Sequence, residues 1–142
     1  MNTEETLAQV PLFSQLGHRD LKRLAKGAVL RQFEKGHVIV KEGELAVGFF
    51  LILSGRVEVV KGAEGPSPKV LNTLGAGDFF GEMALLDGYL RSTTVHAVDD
   101  TECLVLSRWD FMAELRSSPY IAVQMLPVLS RRLRESQAQL ET

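Results

Sequence analysis

The sequence predicts a mainly β domain carrying helices at both ends. The middle of the chain is a series of short apolar runs cut by turn residues at close intervals, while residues 7–28 and 107–140 repeat their apolar positions with helical spacing. Three zones follow: a helical segment over residues 1–28, a strand-rich body over 29–106, and C-terminal helices over 107–142, together forming one domain.

In the first zone Leu16, Leu21, Leu24, Ala25 and Ala28 share one helical face, and His18, Arg19, Asp20, Lys22 and Arg23 lie opposite. Pro11-Leu12-Phe13 reads as a short turn that pins this helix to the core. In the second zone strands are predicted at 29–33, 38–41, 48–53, 56–61, 70–74, 92–98 and 102–106, punctuated by Gly36, Gly43, Gly55, Gly75 and Gly77. Arg56-Val57-Glu58-Val59 alternates as a half-buried strand does, Ser54-Gly55 carries a hairpin signal, and residues 62–68 read as an exposed hairpin tip. Many short strands with regular turns indicate a barrel or sandwich. In the third zone Ser107 and Asp110 open a helix reaching about Arg116, and Ser118-Pro119 starts a second one reaching Leu140. Ala122, Leu126, Leu129, Leu133 and Leu140 on it form a heptad-like seam suited to a second copy of the chain. Pro127 is expected to bend this helix, and Ser136 and Gln137 interrupt the seam.

Composition narrows the function. Apolar residues make up 45% of the 142, enough for a core, and the formal net charge of −2 is not that of a general nucleic-acid binder. The longest uncharged apolar stretch, residues 47–53, is far short of the roughly 20 residues that span a bilayer. Residues 1–9 lack the apolar core of a signal peptide, so the expected location is the cytoplasm. Cys103, the single cysteine, lies in an apolar run and is read as a buried small hydrophobe. His18, His37 and His96 lack metal-ligand spacing, and no Ser–His–Asp or Cys–His arrangement assembles, so neither a metal site nor an enzyme is expected. Trp109 and Phe111 are read as packing groups, and the arginines 131, 132 and 134 as a solvated helix face.

The chemistry concentrates in residues 79–95. Glu82–Leu86 are good helix formers ended by Asp87-Gly88, a run of about one turn inside the β body. Free amides at the start of such a turn attract an anion, and Gly81 lets a ligand approach the backbone. Arg91 follows at a distance that lets its guanidinium fold over the same anion. Glu82, an acceptor only, suits a sugar hydroxyl.

The run Phe80-Gly81-Glu82-Met83-Ala84-Leu85-Leu86, followed by Arg91-Ser92-Thr93-Thr94-Val95, resembles the phosphate-binding cassette of the cyclic nucleotide-binding domain family, which includes cAMP receptor proteins and regulatory subunits of cAMP-dependent kinase. Pro11 through Leu16, Gly36, Glu42-Gly43 and Leu53 through Val57 match the family's opening motif and turn glycines, so the likeness covers roughly residues 7–135. It implies a double-stranded β-helix, or jelly roll, with flanking helices. It also implies a ligand site made of Gly81, Glu82, Met83, Ala84, Arg91, Ser92 and Thr93: Glu82 on the ribose 2′-hydroxyl, the Met83 and Ala84 amides and Arg91 on the phosphate, Ser92 on phosphate or base. Leu90 stands where many members have proline, and Thr93 where a small residue is common.

On this reading the chain is a sensor for cAMP, with cGMP the open alternative, and it signals by moving its C-terminal helix. It needs no cofactor. The helix-turn-helix that follows the long helix in family transcription factors is not found in this chain. A ligand-independent interaction module on the same fold is the competing reading; it would show a damaged cassette, and Glu82, Arg91 and Ser92 are all present.

Overall fold

The computed structural model describes residues 2–46 and 48–141; Met1, Thr142 and Val47, which opens the longest uncharged apolar stretch, lie outside them. The chain divides into two compact units, residues 28–109 and residues 1–27 with 110–142.

The first unit is two antiparallel four-stranded sheets. One has the order β1 (Val29–Phe33), β8 (Thr101–Ser107), β3 (Gly48–Ser54), β6 (Phe79–Phe80). The other runs β2 (Val38–Val40), β7 (Thr94–Ala97), β4 (Arg56–Lys61), β5 (Lys69–Gly75). Their inner faces supply the core: Ile52 and Cys103 from one sheet, Val57 and Val95 from the other, all essentially inaccessible. Truncating Ile52 to alanine would leave a cavity costing about 2–5 kcal/mol. All seven expected strands form. The eighth, β6, has only two residues; it exists because it pairs with Phe50 and Leu51, and Phe80 stacks on Phe50 at 4.8 Å.

Ser54-Gly55 is not a hairpin. β3 and β4 lie in different sheets, so this turn carries the chain from one sheet to the other, as a jelly roll requires. Gly55 has φ +93°, and a Cβ there would lie 2.5 Å from the Thr101 hydroxyl, so both conformation and space demand glycine. Residues 62–68 do join a true hairpin, β4 to β5. The expected strand 92–98 is shorter, with Ser92 and Thr93 in the loop before β7.

The second unit is helical. The expected turn at Pro11–Phe13 forms as a 3-10 turn and the expected helix after it is α2 (His18–Gly27), while α1 (Thr3–Ala8), in residues read as polar and acidic, adds a helix ahead of them. A capping box starts α1, the Asn2 side chain accepting from the Glu5 amide at 2.8 Å. Leu21 and Leu24 are the buried face of α2. α4 (Arg108–Ser117) contributes Phe111 to this unit, fully buried and 6.1 Å from the Phe13 ring, whereas Trp109 is 71% exposed and does not pack as expected. α5 (Tyr120–Glu141) runs on through Pro127 and buries Ile121, Met125 and Val128. The predicted seam is on its other side: Leu126 and Leu133 are each 61% exposed.

Candidate functional site

The cassette begins where β6 ends. Gly81 turns the chain at φ +81°, residues 82–83 continue the turn, and α3 (Ala84–Asp87) adds one helical turn. Gly88, left-handed at φ 64°, closes α3 by returning its amide to the Ala84 carbonyl at 3.0 Å. Residues 89–91 then run beside residues 43–46. The Arg91 amide donates to Glu44 O at 2.8 Å, the Gly43 amide to Arg91 O at 2.9 Å, and the Ala46 amide to Tyr89 O at 3.0 Å. These bonds fix the backbone from which the Arg91 side chain departs.

A cavity of about 370 Å³ opens between these segments. All seven residues expected at the site line it: Gly81, Glu82, Met83, Ala84, Arg91, Ser92 and Thr93. Val40, Val59 and Val95, from three adjacent strands of one sheet, add an apolar floor, and Asp87, Tyr89 and Leu90 stand around it. Sequence spacing did not point to these residues, because the strand pairing that gathers 40, 59 and 95 is not visible in a local motif.

The polar groups have definite settings. Glu82 is buried, only 8% exposed. Arg91 is half-buried, and its Nη2 donates to the Gly48 carbonyl at 2.7 Å while its carbon Cζ sits 5.9 Å from the Phe50 ring centroid. Among the described residues no carboxylate pairs with it. Burial lowers Arg91 from the usual arginine range, yet a guanidinium stays charged at any working pH. The space beside Gly81, read from the sequence as room for a ligand, is taken here by Arg91 itself: a Cβ on Gly81 would lie 2.5 Å from Nη1 and 2.7 Å from Gly48 O. The two amides differ as well. That of Ala84 donates to Gly81 O at 3.1 Å within the turn, while that of Met83 meets no acceptor among the described residues. An anion in the cavity would therefore meet one open amide, one shared amide and one cation.

Among the described residues no group of three or more His, Cys, Asp or Glu is placed to hold a metal, and no helix is long and apolar enough to cross a membrane.

A two-sheet jelly roll with such a cavity is a ligand-binding roll by class. The family model described as the cyclic nucleotide-binding domain matches residues 30–118, and the chain belongs to that family. It is 36% identical over 131 residues to the cyclic AMP receptor protein of Thermus thermophilus, a match covering 92% of this chain and 61% of that one. It is 40% identical over 118 residues to a cyclic nucleotide-gated potassium channel of Rhizobium etli, covering 83% of this chain and 32% of the channel. The chain thus spans less than two thirds of either relative. The N-terminal domain of a transcriptional regulator from Streptomyces coelicolor superposes with a TM-score of 0.85 over 95% of this chain and 94% of that domain, at 24% identity, which supports the fold alone.

Proposed function

We propose that this chain is a cAMP sensor that works in the cytoplasm, with the nucleotide held in the 370 Å³ cavity and the output carried by the C-terminal helices. The observation behind it is Arg91: a half-buried cation lining the cavity with no carboxylate to neutralise it among the described residues. A cyclic phosphodiester carries a single negative charge and matches one guanidinium. Glu82 accepts from the ribose 2′-hydroxyl, the Met83 and Ala84 amides and Arg91 take the phosphate oxygens, and Ser92 and Thr93 add hydroxyls. Gly81 keeps the turn close enough for all of these to converge. The preference for cAMP over cGMP draws on the Thermus relative.

A ligand moves the protein only by binding one state more tightly than the other. Here the gain is the exchange of a carbonyl for a phosphate at Arg91. Its consequence is a new position of α5, whose seam of half-buried Ala122 and Leu129 and exposed Leu126 and Leu133 joins a second copy in a homodimer. The rival reading, an interaction module without a ligand, has one observation in its favour: Arg91 already holds the Gly48 carbonyl and so is not left bare.

Thermal melting separates the two. A ligand at 100 times its dissociation constant stabilises by about 2.7 kcal/mol. The melting temperature should rise by several degrees with cAMP, less with cGMP, and not with 5′-AMP, whose extra charge Arg91 alone does not match. A flat response to both cyclic nucleotides favours the interaction module.

A further inference from the structure

β7 enters its sheet between β2 and β4, and the residues flanking it there are of opposite charge. β4 pairs with β7 in a register that sets Val60 opposite Thr94, so Lys61 lies beside the loop at 92–93. β2 pairs with β7 through Val40 and Val95, so Glu42 arrives on the other side. The Lys61 ammonium donates to the Ser92 carbonyl at 2.8 Å and pairs with Glu42 Oε2 at 3.3 Å. Glu42 Oε1 accepts from the Gly62 amide at 3.0 Å, and the Glu42 amide donates to the buried Thr94 hydroxyl at 3.0 Å. With the Gly43 amide on Arg91 O, the loop is gripped at Arg91, Ser92 and Thr94, and only the grip at Ser92 comes from a side chain of another strand.

Stability does not explain this pair. Both side chains reach solvent, 54% exposed for Lys61 and 33% for Glu42, and ion pairs so placed contribute about 0–1 kcal/mol. Its geometry is more telling. The Ser92 carbonyl belongs to the Ser92–Thr93 peptide, one residue beyond Arg91, and Ser92 and Thr93 both line the cavity. Lys61 and Glu42 themselves do not line it.

We propose that Lys61 and Glu42 are positioning residues of the ligand site: Lys61 holds the Ser92 peptide so that Arg91 and Ser92 face the same anion, and Glu42, fixed by the Gly62 amide, holds Lys61. This rests on the reading of the cavity as a cyclic nucleotide site. The clamp also ties the β4–β5 hairpin to the cassette, since Gly62 begins its tip. The Glu42 carboxyl is held below its usual range, first by the Gly62 amide and then by Lys61, so this carboxylate is charged at neutral pH.

Charge and position make opposite forecasts. Were Lys61 only a positive charge attracting the phosphate, Glu42→Gln would remove a competing negative charge and tighten binding. As part of a clamp, Glu42→Gln weakens it. The experiment is calorimetric titration of cAMP into the intact chain and the variants Lys61→Met, Lys61→Arg, Glu42→Gln and Arg91→Ala. Lys61→Met and Glu42→Gln should each weaken binding by about tenfold, with the melting temperature of the ligand-free protein unchanged, and Lys61→Arg should restore most of the affinity. Binding by Lys61→Met equal to the parent while Arg91→Ala loses it, or tighter binding by Glu42→Gln, overturns the clamp and leaves the nucleotide site standing. Failure of the parent itself to bind either cyclic nucleotide overturns both.

Discussion

Among the described residues, the roll holds a half-buried cation with no carboxylate partner, and the helical unit leaves an apolar stripe exposed. Arg91 stands half-buried on a backbone carbonyl with a cavity at its side. α5 buries Ile121, Met125 and Val128 on one side and exposes Val123, Leu126, Leu133 and Leu140 on the other, at 55–85%. The two features call for different partners. A buried charge selects a small anion of fixed geometry, because desolvation makes an imperfect fit costly. An exposed apolar stripe at heptad spacing selects a helix, with the area covered setting the strength. On the proposed reading, one unit recognises a ligand and the other joins a copy of itself.

Each half of that comparison can be broken separately. Arg91→Ala should have the largest effect. Truncating one partner of a buried charge pair costs about 2–5 kcal/mol, so calorimetry should find cAMP binding weakened by well over tenfold, with self-association untouched. Next comes Gly81→Ala. A side chain at φ +81°, directed at Nη1 of Arg91 and the Gly48 carbonyl, should lower stability by about 1–3 kcal/mol in denaturant titration and displace Arg91 as well. Leu126→Glu with Leu133→Glu should reverse the pattern. Both sites are exposed, so stability should change by no more than about 0.5 kcal/mol per site, while sedimentation should show the assembly dissociating and cAMP still binding to the roll. The smallest effect concerns Cys103, whose thiol is pushed up to about 11 by burial and by Glu102. The neutral thiol is the form favoured by folding, so its contribution persists at neutral pH and fades as pH rises past the unfolded value of about 8.5. A thiol reagent at pH 8 should leave the native protein unlabelled and label it after denaturation.

The two units were also unequally legible. Seven strands of the roll could be read because alternation and turn glycines mark each one locally. β6 could not, since two residues carry no periodicity and Phe79-Phe80 becomes a strand only by pairing with β3. Ser54-Gly55 announces a turn but not which sheet follows it, and that depends on pairings far along the chain. In the helical unit α1 went unread, because the polarity of the first residues hides a helical pattern and only the Asn2 to Glu5 capping box marks its start. Trp109 was misjudged because aromatic character suggests a core and says nothing about helix phase. At the site, the local pattern pointed to Gly81, Glu82 and Arg91, the family resemblance added Met83, Ala84, Ser92 and Thr93, and all seven line the cavity. Its valine floor and the Lys61–Glu42 clamp were illegible, because both are made by strand register.

The central claim, that Arg91 and the turn at residues 81–84 jointly hold a cyclic phosphate, is tested most directly by following backbone amide resonances while cAMP is added. The account predicts saturable shifts, largest at residues 81–84 and 91–93, including an altered Met83 amide. A spectrum that does not change, or changes confined to residues outside the cavity, would contradict it.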